Sequence, residues 1–94
     1  MDRKKTMFGF IQEFWNLVKC NLDLDNGDTD GWYKAIESAG KLNEKYGDKY
    51  GNADKRFCWE MINLWMVYMN NRVRESRGEK LSWYNERIGS EKNG

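Results

Sequence analysis

Four aspartates, Asp23, Asp25, Asp28 and Asp30, fall within eight positions, and the chain then turns abruptly apolar at Trp32 and Tyr33. Clustered carboxylates next to aromatic side chains suit three kinds of chemistry. Their oxygens could ligate a hard cation such as calcium. They could form a charged rim around aromatic anchors on a protein-binding surface. They could also be no more than an acidic turn whose charges complement the positive end of a helix. Histidine is absent from the 94 residues. That removes Ser-His and Cys-His nucleophile pairs, histidine general bases and the commonest zinc ligand.

The twelve residues "NGDTDGWYKAIE" resemble an EF-hand loop when Gly31 is set at the sixth position. Asn26 is then first, Asp28 third, Asp30 fifth and Glu37 twelfth. The resemblance implies calcium held by Asn26, Asp28, Asp30 and Glu37 within a helix–loop–helix. The pattern differs at Asn26, which stands for the usual aspartate, and at Lys34, an ammonium at the ninth position. It differs again at Tyr33, where a β-branched apolar residue normally joins a paired loop.

Basic side chains offer a further possibility. Arg72, Arg74, Arg77 and Lys80 gather near the end of a helical pattern, and Arg3, Lys4 and Lys5 near the start. Such residues hold phosphates. Glu75 and Glu79 interrupt the first set, however, and the net charge is only +1. Cationic side chains in the last turns of a helix also complement its dipole. The charge is unevenly spread, with four lysines against eight acidic residues between positions 21 and 54. Catalysis has no candidate residues: there is no phosphate-cradling glycine loop, metalloprotease helix or nucleophile elbow. Cys20 and Cys58 sit in apolar stripes, where thiols are usually inert. The expectation is a protein without enzymatic activity and without a cofactor, calcium aside.

The elements that would position these groups are helical. The chain has one domain's length, 39% hydrophobic residues, 33% charged residues and five tryptophans. Large buried rings let a small domain build a core. Proline is absent, so glycine supplies the punctuation. Phe8, Ile11, Trp15, Val18 and Leu22 follow one another by three and four, with Met7, Phe10, Phe14 and Leu17 as a neighbouring stripe. This predicts a helix from about Lys5 to Leu22, capped by Asp2 or Thr6. Trp32, Ala35, Ala39, Leu42 and Tyr46 predict a second, from about Asp30 to Tyr46, with Asp28, Thr29 or Asp30 as N-cap and Gly47 at the C-terminus. "KYGDKYGN" reads as a glycine-punctuated turn with its tyrosines packed on the core.

A third helix is predicted from Asn52 or Ala53 to Arg77, stopped by Gly78. Its middle is apolar nearly all round, with Phe57, Met61, Leu64 and Tyr68 on one stripe and Cys58, Ile62, Trp65 and Met69 on the next. Trp59, Met66 and Val73 add a third stripe. So little polar surface implies a surrounded helix. Cover would come from the C-terminal segment or from a second copy of the chain. "EKLSWYNERI" could form that cover as a short fourth helix, with Leu81, Tyr84 and Ile88 on one face and Ser82 as its cap.

The expected fold is therefore all-α: a three-helix bundle with a central apolar third helix and a short C-terminal fourth helix. It is one domain over residues 1–94, with frayed ends at about 1–5 and 89–94. The longest apolar run, Phe57 to Met69, is too short for a membrane span and contains Glu60 and Asn63. Two cysteines are too few for a disulfide framework, and the charged opening "MDRKK" is followed by no uniformly apolar stretch. Reduced, buried thiols in a cytoplasmic protein are expected at Cys20 and Cys58.

Taken together, "FWNLVK", "DTDGWY", "LNEKYG" and "RFCWEMI", between Phe8 and Ile62, resemble a loose group of small all-helical proteins of phages and prophages of Gram-positive bacteria. The resemblance implies a mobile-element accessory protein that modulates or inhibits a host factor. No site residues come with it. The surface offered by Asp23, Asp25, Asp28, Asp30, Trp32 and Tyr33 would suit such a role, its carboxylates standing in for the phosphates of a nucleic acid. The partner expected is thus a host or phage protein, with a homodimer through the third helix as a further expectation.

Overall fold

A computed structural model describes residues 2–82. Three helices account for most of them: α1 (Arg3–Asn21), α2 (Thr29–Tyr46) and α3 (Ala53–Ser76), with no strand among the described residues. No helix among the described residues is long and apolar enough to cross a membrane. The predicted fourth helix lies mostly outside the described residues. Leu81 and the expected cap Ser82 are described and lie in non-helical backbone, and the positions after the cap fall outside the described residues.

Each helix begins where a short polar side chain caps it. Asp2 Oδ1 accepts from the amides of Lys4 and Lys5 at 3.0 and 3.4 Å, Asp28 Oδ1 from Gly31 at 2.9 Å, and Asn52 Oδ1 from Lys55 at 3.0 Å. A side-chain oxygen satisfies one of the amides that the first helical turn leaves unpaired. The helix ends differ from one another. Gly47 is in extended backbone, its amide donating to Asn43 O at 2.7 Å. Gly78 has φ +72°, the left-handed conformation that glycine adopts without steric cost, and it ends α3 as expected.

The chain divides into two compact units, 1–62 and 63–94. In the first, Phe10 is fully buried and central. Its ring stacks on Phe14 at 5.6 Å and meets Tyr46 and Phe57 edge-on at 5.5 and 6.4 Å. Leu17, Ala35, Ala39, Leu42, Cys58 and Ile62 complete the buried set. The alanines give α2 a flat inner face for α1. Gly9 has a similar use: a Cβ there would lie 3.1 Å from the Tyr46 hydroxyl. In the second unit Trp65, Val67 and Met69 are buried.

Cys20, expected to be buried, is exposed because it lies off the Phe10–Leu17 face of α1, and two further expectations need correction. On α1 the buried stripe is the neighbouring one, built on Phe10 and Leu17, while Phe8 (62%), Ile11 and Trp15 (53%) are exposed. Phe10 turns inward where its ring meets three others, one stacked and two edge-on. On α3 the Cys58–Ile62–Trp65–Met69 stripe is buried and Phe57, Leu64 and Tyr68 are exposed; most of the C-terminal segment expected to cover that helix lies outside the described residues. In the glycine-punctuated turn only Tyr46 packs on the core; Tyr50 is 87% exposed. Asp48 closes this turn, its Oδ1 accepting from the Tyr50 amide at 2.9 Å and its carbonyl from Gly51 at 3.2 Å.

Candidate functional site

The acidic stretch is a compact turn between α1 and α2. Asp25 organises it: its carboxylate accepts from the Gly27 amide at 2.8 Å, and its carbonyl accepts from the Asp28 amide and from Trp32 Nε1, both at 3.0 Å. The Trp32 indole is thereby folded back over the turn and half-buried. Asp28 caps α2, and Asp30 lies in the first turn of that helix, where negative charge offsets the helix dipole. Gly31 fits here because a Cβ would come within 2.5 Å of both Leu24 and the Asp28 carboxylate. The glycine that sets the EF-hand register thus has a packing reason.

Asp23, Asp25, Asp28 and Asp30 are all exposed. Tyr33 is 71% exposed and Ile36 50%. The structure therefore keeps the carboxylates and Tyr33 on the surface but ties Trp32 into the turn. It adds residues that sequence reasoning passed over. Tyr33, Ile36 and Gly40 succeed one another by three and four along the outer face of α2, with Glu37 and Glu44 exposed beside them. The helical spacing carries this signal, since Tyr33, Ile36 and Gly40 fall outside the Trp32–Ala35–Ala39–Leu42–Tyr46 stripe.

The calcium candidates are placed differently. Asn26 is in the turn, Asp28 is the cap, and everything from Thr29 to Glu37 is helix. Glu37 stands roughly 13 Å along the axis from Asp28, and its carboxylate pairs with Lys41 at 3.3 Å. A calcium ion needs its oxygens within about 2.6 Å, so the structure does not bring these four together. Among the described residues, no group of three or more acidic, cysteine or histidine side chains is placed to hold a metal.

The basic set closes the end of α3. Arg74 donates to the Lys80 carbonyl at 3.1 Å, and Arg77 lies 3.8 Å from Glu79. Asn71 exchanges two hydrogen bonds with the Ser82 backbone, at 2.7 and 2.9 Å. Arg72 and Arg74 are half-buried, while Arg77 and Lys80 are exposed. The resulting shallow groove of about 500 Å³ is lined by Leu64, Val67, Tyr68, Asn71, Lys80, Leu81 and Ser82 and is mainly apolar.

A second hollow of about 460 Å³ opens in the first unit. Arg3 and Asp54 pair across its mouth at 2.8 Å, and Cys58 lies in its wall. Burial, with Asp54 nearby, pushes the Cys58 thiol up, which favours the protonated, unreactive form. Comparison of the chain with protein-family models, curated proteins and solved structures finds no match.

Proposed function

We propose that this chain is a non-enzymatic protein-binding module that recognises a basic surface on its partner through the outer face of α2 and the acidic turn before it. One observation carries the reading: Tyr33 and Ile36 stand 71% and 50% exposed among carboxylates that are themselves exposed. An aromatic and an aliphatic anchor inside a charged rim is the composition of an interface hot spot. The carboxylates would speed encounter with a basic partner and fix its orientation. The resemblance to phage and prophage proteins supports a host protein as that partner, with the acidic rim occupying a surface that otherwise meets phosphates. Inhibition of a nucleic-acid-binding host factor in the cytoplasm follows as the role.

A photo-crosslinking residue at Ile36, introduced into the full chain in bacterial cells, tests this. Capture of one basic protein is expected, with loss of capture when Tyr33→Ala or Asp30→Lys is added and weakening as salt rises. Equal capture from position 55 on α3, or none from position 36, removes the proposal. Calcium-dependent amide shifts confined to residues 26–37 would favour the helix–loop–helix reading instead.

A further inference from the structure

The proposed partner surface on α2 leaves one large apolar feature of the first unit unused. Phe8, Ile11 and Trp15 are 62%, 41% and 53% exposed, and Leu22 at the C-cap is 38% exposed. These side chains lie on one stripe along the roughly 28 Å length of α1. Scattered exposed apolar residues are ordinary, but a contiguous stripe with two large rings marks an interaction surface.

We infer that this stripe is a self-association face, on which α1 of a second copy packs antiparallel about a two-fold axis through Trp15. The spacing is self-complementary. With Trp15 on the axis, Phe8 faces Leu22 of the second copy, and Ile11 faces the region of Val18. An isologous contact requires this pairing of each residue with its counterpart.

Charge supplies the second argument. Arg3, Lys4 and Lys5 occupy the start of α1, and Asp23 and Asp25 follow its end. Antiparallel packing brings each basic end against an acidic one; parallel packing would oppose like charges. Lys5 and Asp23 lie on the same flank, about 100° round from the centre of the stripe. That holds because the Leu22 C-cap keeps right-handed helical backbone at φ −61° and ψ −39°. Side chains on the same flank meet across an antiparallel helix pair. Both are exposed, and neither has an ion-pair partner among the described residues.

The apolar stripe and the aliphatic stems beside it offer on the order of 600 Å² per protomer. This lies at the small end of specific interfaces. Interfaces of that size belong to weak, concentration-dependent associations.

Sedimentation equilibrium of the full chain, from a few micromolar to millimolar at low salt, tests the inference. The expected result is a mass rising from one chain towards two. Trp15→Asp should hold it at one chain, with a circular dichroism spectrum that shows the helices retained. Lys5→Glu should weaken association about tenfold, and Asp23→Lys added to it should restore most of the loss. A photo-crosslinker at position 15 should link to α1 of a second copy. A single-chain mass up to millimolar overturns the inference, as does a dimer indifferent to Trp15→Asp. So does a position-15 link that stays within one chain, to residues 83–94, or that reaches only a foreign protein.

Discussion

The phenol of Tyr46, at the end of α2, donates a hydrogen bond to the carboxylate of Glu13 on α1. Lys45 joins the same carboxylate, its Nζ lying 2.9 Å from Oε2. The ring of Tyr46 meanwhile rests edge-on against Phe10. One residue thus couples the apolar core of the first unit to a polar tie at its surface, and the two contributions can be separated by removing the hydroxyl alone.

Tyr46→Phe keeps the ring and loses the tie. A cost of about 1 kcal/mol is expected, below that of a buried charged hydrogen bond because Glu13 is substantially exposed. The pH dependence is diagnostic. Tyr46, then Lys45, holds Glu13 below the usual carboxylate range, so its contribution is present above that range and disappears as pH falls through the lowered value. Glu13 holds Tyr46 above the usual phenol range, so that contribution is present below about pH 10 and disappears as pH rises through the raised value. Urea unfolding of both proteins at acid, neutral and alkaline pH should show a difference that is level in the middle and shrinks at either end. A difference constant with pH would contradict the tie.

The choice of core stripe on α1 has a direct test. Phe10→Ala opens a cavity beneath three aromatic neighbours and should cost about 3–5 kcal/mol. Phe8→Ala, measured at low micromolar concentration, should change stability by less than about 0.5 kcal/mol. Comparable losses at the two positions would show that both stripes are covered.

Gly31 and Gly40 sit in the same helix and should respond oppositely to alanine. At Gly31 the added carbon meets the tips of the Leu24 and Asp28 side chains at 2.5 Å, and displacing the Asp28 cap should cost about 1 kcal/mol. At Gly40 it meets nothing within 4 Å, and a gain of about 0.5–1 kcal/mol should follow from helix propensity. Thermal unfolding of the two variants would reveal the contrast, and equal shifts would argue against the packing around Gly31.

Asp28→Ala removes the cap of α2 and should cost about 1 kcal/mol. Asp30→Ala, one turn residue away but without a capping bond, should cost only a few tenths. Far-ultraviolet circular dichroism during denaturation would report the loss. If the two variants behave alike, Asp28 contributes charge rather than a hydrogen bond.

Helix existence was legible in the sequence because the apolar residues recur by three and four and because Asp2, Asp28, Asn52 and Gly78 mark helix limits by local chemistry. Which of two adjacent apolar stripes turns inward was not legible. Phe8 and Phe10 are alike as side chains, and the choice depends on Phe57 and Tyr46 arriving from elsewhere in the chain. The same applies to Trp32 and Tyr33. Both are aromatic neighbours of the acidic turn, but only the indole has a nitrogen that can reach the Asp25 carbonyl, so Trp32 folds in and Tyr33 stays outside. Glu37 was drawn into the calcium set by spacing alone. That spacing has one meaning in a loop and another in the helix that begins at Thr29.

The short links on either side of α2, residues 22–28 and 47–52, are each closed by their own side chains, Asp25 and Asp28 in one, Asp48 and Asn52 in the other. Neighbouring helices of the first unit can therefore find each other without a long search through chain conformations. With this low contact order, and with no prolyl isomerisation to wait for, that unit should reach its native packing in microseconds to milliseconds after dilution from denaturant.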